Sequence, residues 1–159
     1  VRGQGDLHAA VECAKFFEVP ALFAEANEWI VAHLGVRNAP SLWNFLEAEP
    51  LLKHSYGVAQ DDVADADGAC FDFHVAHFWE LTANGEPGDE EPEAFEAKAG
   101  ALHELRVPLM HRLLSPGLLD LPSAVLTPVV IDYAKGKAKG EEYRELCEML
   151  RPPAVLFNR

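Results

Sequence analysis

LHELRVPLMHRLLSPGLLDLPSAVLTPVVIDYAK, residues Leu102 to Lys135, is the stretch whose reading decides the fold. It holds two apolar helical runs, Leu102 to Leu114 and Ser123 to Ala134, joined by a hydrophobic connector at Leu118, Leu119 and Leu121. Leu102, Leu105, Leu109, Met110, Leu113 and Leu114 recur at helical spacing in the first run, and Val125, Val129, Val130, Tyr133 and Ala134 do so in the second. Ser115-Pro116-Gly117 stops the first run and Pro122-Ser123 opens the next, because proline fits a first helical turn and serine can bond its free N–H groups. Pro108 belongs near a helix start, whereas Pro128 inside the second run predicts a first-turn position or a kink. The stretch is built to pack and to position something else.

Outward from it, the same periodicity recurs. Asp6 is placed to cap a helix with Leu7, Ala10, Val11, Ala14 and Phe17 on its apolar side, and Pro20 ends that helix or opens the next. Leu22, Phe23, Ala26, Trp29, Ile30 and Ala32 form a second apolar face, with Gly35 as its stop. Asn38 and Pro40 announce a third, short helix that Pro50 interrupts. Ala59 to Gly68, with Asp61, Asp62, Asp65 and Asp67, reads as a loop or a charged helix start, and Ala69 to Ala83 as a central helix with apolar residues on several sides. Asn84 to Glu93 is a polar, proline- and glycine-rich loop. Glu141 to Leu150 is a last helix before an apolar tail, Ala154 to Phe157. No run alternates with period two for long, so the fold class is all-α, a bundle of antiparallel helix pairs with about eight helices.

At 159 residues with a hydrophobic fraction of 49%, the chain can offset the entropy of ordering one domain. Lys and Arg number 13 against 26 Asp and Glu, and a formal charge of -13 repels a phosphate backbone, which argues against nucleic-acid binding. No apolar run reaches the ~18 residues of a membrane span. Cys13, Cys70 and Cys147 are widely spaced in apolar surroundings, which predicts buried thiols and a reducing, cytoplasmic compartment. The opening on Val1, almost directly in a helical pattern, leads us to expect part of a longer protein.

Reactive constellations are few. His74, His77 and Glu80 fall at i, i+3 and i+6 and together suggest a metal site, which would need a fourth ligand from elsewhere; solvated or partly buried histidines are the alternative. His103, Glu104 and His111 have no evident nucleophile beside them, and Cys13 has no positioned base. The acidic run from Asp61 is no calcium loop, since its sixth residue is Ala66 and its twelfth Asp72. Trp43 and Phe45 lie two apart and cannot easily share one core. We expect no cofactor and no enzymatic activity.

The order of these features resembles the end of a BTB domain followed by a BACK domain, as in BTB-BACK-Kelch proteins. DLHAAVECAKFFEVPALFAEANEWIVAHL is similar to the last two BTB helices, NAPSLWNFLEAEPLL to the opening BACK helix pair, and ACFDFHVAHFWELT to the helix that follows. Leu102 to Lys135 is the nearest match, and LCEMLRPPAVLFNR is similar to the closing helix and tail. The resemblance implies a BTB-like part at residues 1–35 and a BACK-like part at 36–159. It also implies a non-enzymatic adaptor between a substrate-recognition module and a cullin ubiquitin ligase, with a cullin and a BTB-mediated homodimer partner as protein partners. Matched position by position, Leu34, Leu42, Phe45 and Leu46 are the candidates for the so-called 3-box that supplements cullin binding, with ordinary core as their other reading. The alternative functions are a structural helical subunit without ligase recruitment and, last, a metal-dependent enzyme using His74, His77 and Glu80.

Overall fold

The computed structural model describes residues 3–59, 63–82, 99–115 and 123–137, with 123–125 by backbone alone. The expectations for the Asn84 loop, the Leu118 to Leu121 connector, Cys147, the Glu141 helix and the apolar tail lie outside the described residues, as do Asp61 and Asp62. Among the described residues there are eight α-helices, one 3₁₀ helix and no strand, which is the all-α class read from the periodicity. They fall into two compact units, Val1–Phe73 and His74–Arg159.

The first unit opens with α1 (Gln4–Phe17), which starts before Asp6: Gly3 is its N-cap, and Asp6 lies inside the first turn, where a carboxylate favours the helix dipole. Leu7, Val11 and Ala14 form its buried side, but Phe17 does not join them and is 67% exposed. Glu18 closes the helix in the left-handed region at φ 53°, and Pro20 then opens α2 (Pro20–His33). α2 packs on α1 and buries Phe23, Ala26, Asn27 and Ile30, while Ala32 stays outside.

A polar clasp holds the next corner. Asn38 precedes α3 (Ala39–Ala48) as expected, yet its side chain makes no capping bond to that helix. Its Oδ1 accepts from Gly35 N at 2.8 Å and its Nδ2 donates to His33 O at 2.8 Å, so it satisfies a carbonyl at the end of α2. α3 buries Leu42, Trp43 and Leu46, and α4 (Pro50–Lys53) follows after Pro50. Buried Asn27 joins α2 to α4: its Nδ2 donates to Leu52 O at 2.9 Å and lies 3.1 Å from Ser55 Oγ, besides Phe23 O at 2.8 Å. The turn after α4 needs glycine at residue 57, where φ is 80° and an added Cβ would stand 2.8 Å from Pro20 Cγ.

α5 (Ala66–Ala76) begins three residues before the predicted start at Ala69, because the Asp65 carboxylate accepts the Gly68 N–H at 3.0 Å and caps the helix. Asp67, in its first turn, accepts from Trp43 Nε1 at 3.1 Å, which allows the indole to be fully buried; the Phe71 ring meets the same indole edge-on at 6.1 Å. The predicted single helix to Ala83 is instead broken at His77, and α6 (Phe78–Leu81) follows.

In the second unit, Leu102 to Leu114 is likewise two elements, a 3₁₀ helix (Gly100–Glu104) and α7 (Val107–Leu113). Pro108 explains the break: it has no N–H to offer Glu104 and its ring would crowd that carbonyl, so the chain extends through Leu105 and Arg106 and restarts. Leu102, Leu105, Val107, Leu109, Met110 and Leu113 are buried. α8 (Ser123–Gly136) runs through Pro128, so the proline lies inside the helix and not in its first turn. Val129, Val130, Tyr133 and Ala134 are buried as the spacing predicts, and the 3₁₀ helix packs on both α6 and α8.

Candidate functional site

The four positions matched to the 3-box separate into two pairs. Leu42 and Leu46 are 0% exposed in the core of the first unit. Leu34 and Phe45 are half-buried, and the Phe45 ring lies 4.9 Å from that of His8 on α1. Of the four, only these two present surface to a partner. The Trp43 and Phe45 puzzle resolves with Trp43 inside and Phe45 at the edge.

The histidine set does not converge. His74 is fully buried, whereas His77, at the break, faces outward with its Nδ1 3.0 Å from Glu80 Oε1. The break removes the helical register on which the i, i+3, i+6 spacing relied. Among the described residues no three His, Cys, Asp or Glu side chains are grouped to hold a metal ion.

Folding assembles one dyad that the sequence does not announce. His103 Nε2 lies 3.0 Å from Asp132 Oδ2, and the same carboxylate oxygen accepts the Ala99 N–H at 2.7 Å. The imidazole lies nearly parallel to the Tyr133 ring at 6.3 Å, and Tyr133 OH donates to Leu105 O. The other side of the imidazole is set against Gly136, where an added Cβ would stand 2.5 Å from Nδ1. Asp132 takes one imidazole nitrogen, and the absence of a side chain at Gly136 makes room for the other, so the dyad fastens the 3₁₀ helix to α8. His103 and Asp132 are 29 positions apart, and no local pattern connects them.

The first unit carries the surface features that stand out. Phe16, Phe17, Val19, Leu51 and Tyr56 are exposed large hydrophobics at the α1–α2 corner and the α4 turn. They are linked through the chain: Tyr56 N donates to Leu51 O, and Gly57, next to Tyr56, abuts Pro20. Phe16 and Phe17 are 81% and 67% exposed, their rings edge to face at 4.9 Å. Cys13, predicted to be buried, is exposed on the same helix, whereas Cys70 is buried as expected. Nearby, Lys15 Nζ is 3.2 Å from Glu49 and 3.6 Å from Glu12. The hydrogen bond and charge of Glu49, then the charge of Glu12, hold its pKa above the ordinary lysine value. Lys53 is similarly matched to Glu47 at 2.7 Å, so both lysines of this unit sit against glutamates.

Among the described residues no helix is long and apolar enough to cross a membrane. Compared with family models, curated proteins and solved structures, the chain matches none.

Proposed function

We propose that this chain is a non-enzymatic helical adaptor that works by docking other proteins, of the BTB-BACK kind that ties a substrate-recognition module to a cullin ligase. The observation that carries the reading is the set of large apolar side chains left outside the first unit, led by Phe16, Phe17 and Tyr56. Rings exposed to this extent cost solubility and contribute nothing to the core, which marks a surface used for contact. Leu34 and Phe45 are the positions through which a cullin would be engaged. Copurification tests this directly: tagged protein expressed in cells retains a cullin, and Phe45→Ala with Leu34→Ala weakens its recovery.

A second reading, a structural helical subunit without ligase recruitment, draws on the burial of Leu42 and Leu46, which leaves two of the four matched positions out of reach. Loss of the cullin from the copurified set, with other proteins still bound stoichiometrically, selects this reading over the first. Purified protein that binds no other protein overturns both.

A further inference from the structure

The exposed apolar residues of the first unit meet at one corner, and that corner is fenced by carboxylates. Val19 N donates to Ala14 O at 3.1 Å and turns the chain back at the end of α1, beside Phe17. Gly57 abuts Pro20, which brings the turn holding Tyr56 up to the start of α2, and Tyr56 N donates to Leu51 O at 3.0 Å. Glu12 stands one turn before Phe16, Glu18 between Phe17 and Val19, and Glu49 two positions before Leu51; Glu12 and Glu18 are exposed. The lysines here are already engaged, Lys15 by Glu49 at 3.2 Å and Glu12 at 3.6 Å, and Lys53 by Glu47 at 2.7 Å. Four glutamates thus stand against two lysines, and the corner is net negative. Arg37, the other Lys or Arg among the described residues of this unit, follows the far end of α2, roughly 20 Å of helix away.

Size and sign together select what covers such a corner. With aromatic side chains of about 200 Å², the exposures of 81%, 67% and 68% at Phe16, Phe17 and Tyr56 leave roughly 400 Å² of ring surface. That is about half of the ~800 Å² each partner gives to a standard interface, so it fits one side of a short segment better than the face of a folded domain. A nucleic acid, an anionic bilayer and a second copy of this chain, with its charge of -13, all meet repulsion here. A segment with apolar residues on one side and lysine or arginine flanking them meets attraction instead. Its apolar side covers the rings, its cations reach the fence, and their aliphatic stems lie along the aromatic surface.

We propose that the α1–α2 corner, with the turn after α4, is a docking site for a cationic amphipathic segment of a partner protein, whose apolar side covers Phe16, Phe17 and Tyr56 and whose lysines or arginines face Glu12 and Glu18. The inference rests on the adaptor reading and gives its exposed surface a partner of definite chemistry, without calling on Leu34 or Phe45. Because the attraction is between unlike charges at the surface, salt weakens the docking.

The experiment is fluorescence anisotropy of the full chain with two labelled peptides that share one helical stripe of leucines, the polar positions being lysine in one and glutamate in the other, at ~0.05 and ~0.5 M sodium chloride. The lysine peptide is expected to bind, the glutamate peptide to stay free, and the affinity to fall at the higher salt. Phe16→Ala and Phe17→Ala each weaken lysine-peptide binding by about tenfold, and Glu18→Gln weakens it by about threefold. Asp72→Asn, which removes the same charge from α5, leaves it unchanged. Circular dichroism checks that each variant folds. Binding of neither peptide, or equal or stronger binding of the glutamate peptide, overturns the proposal. Lysine-peptide binding that both phenylalanine variants leave intact also overturns it, as adsorption to an acidic surface only. So does a dimer in sedimentation equilibrium that Phe16→Ala disperses, because a second copy then covers the corner. Copurification decides the adaptor reading separately: proteins retained by a chain that fails the peptide test remove the cationic segment and leave the adaptor standing.

Discussion

Asn27 shows how one polar side chain can organise an apolar unit. Its Nδ2 faces three oxygens at 2.8 to 3.1 Å, two of which belong to the α4 region. We predict that Asn27→Ala costs about 1–2 kcal/mol, because the buried side-chain hydrogen bonds that tie α2 to Leu52 and Ser55 are lost, although the Leu52 carbonyl keeps the Ser55 N–H. Asn27→Asp costs at least as much, since a buried carboxylate would face the Phe23 and Leu52 carbonyl oxygens, which cannot donate to it, with only the Ser55 hydroxyl able to do so. Urea midpoints for the two variants check both values. Glu18 is the opposite case: its left-handed backbone, at φ 53°, is one that glycine adopts without penalty. Glu18→Gly therefore raises unfolding free energy by about 0.5–1 kcal/mol, and Glu18→Ala, which keeps the Cβ, brings no comparable gain in the same titration.

Among the elements, the sequence disclosed helices through their interruptions. Pro20, Pro40 and Pro108 mark starts of α2, α3 and α7 because proline costs nothing where no N–H is needed, and all three lie in first turns. Most of the inward sets of α7 and α8 follow from spacing, but Val107, outside the expected stripe, is buried and Leu114, within it, is only half-buried. What spacing could not settle was which of two apolar sides of α1 turns inward, since Leu7 to Ala14 and Ala9 to Phe17 both fit a helical period. Phe17 and Cys13 therefore lie outside, where the spacing alone predicts them inside. Nor could it show the break at His77, or that His103 of one element meets Asp132 of another, because such contacts depend on tertiary approach. That approach has a measurable signature. Gly136→Ala puts a Cβ at 2.5 Å from His103 Nδ1 and should destabilise by about 1–2 kcal/mol. In a His103→Ala background the same change should be close to neutral, so a double-mutant cycle by thermal or urea unfolding reads the coupling directly.

For the whole molecule, the two compact units meet in sequence between Phe73 and His74, which is inside α5 and not in a loop. The helical ladder passes through the boundary without a break until His77. Proteases cut where a chain can be drawn out of the fold, and linkers between units usually give them that opening. Here a protease meets a wound helix. Chymotrypsin added briefly to the native protein should leave the bonds after Phe71 and Phe73 intact among its first cuts, which mass spectrometry of the early fragments would show. Early cleavage at either bond would mean that α5 frays between the units. The division of this molecule is thus one that digestion mapping would pass over, however distinct the two cores on either side of it are.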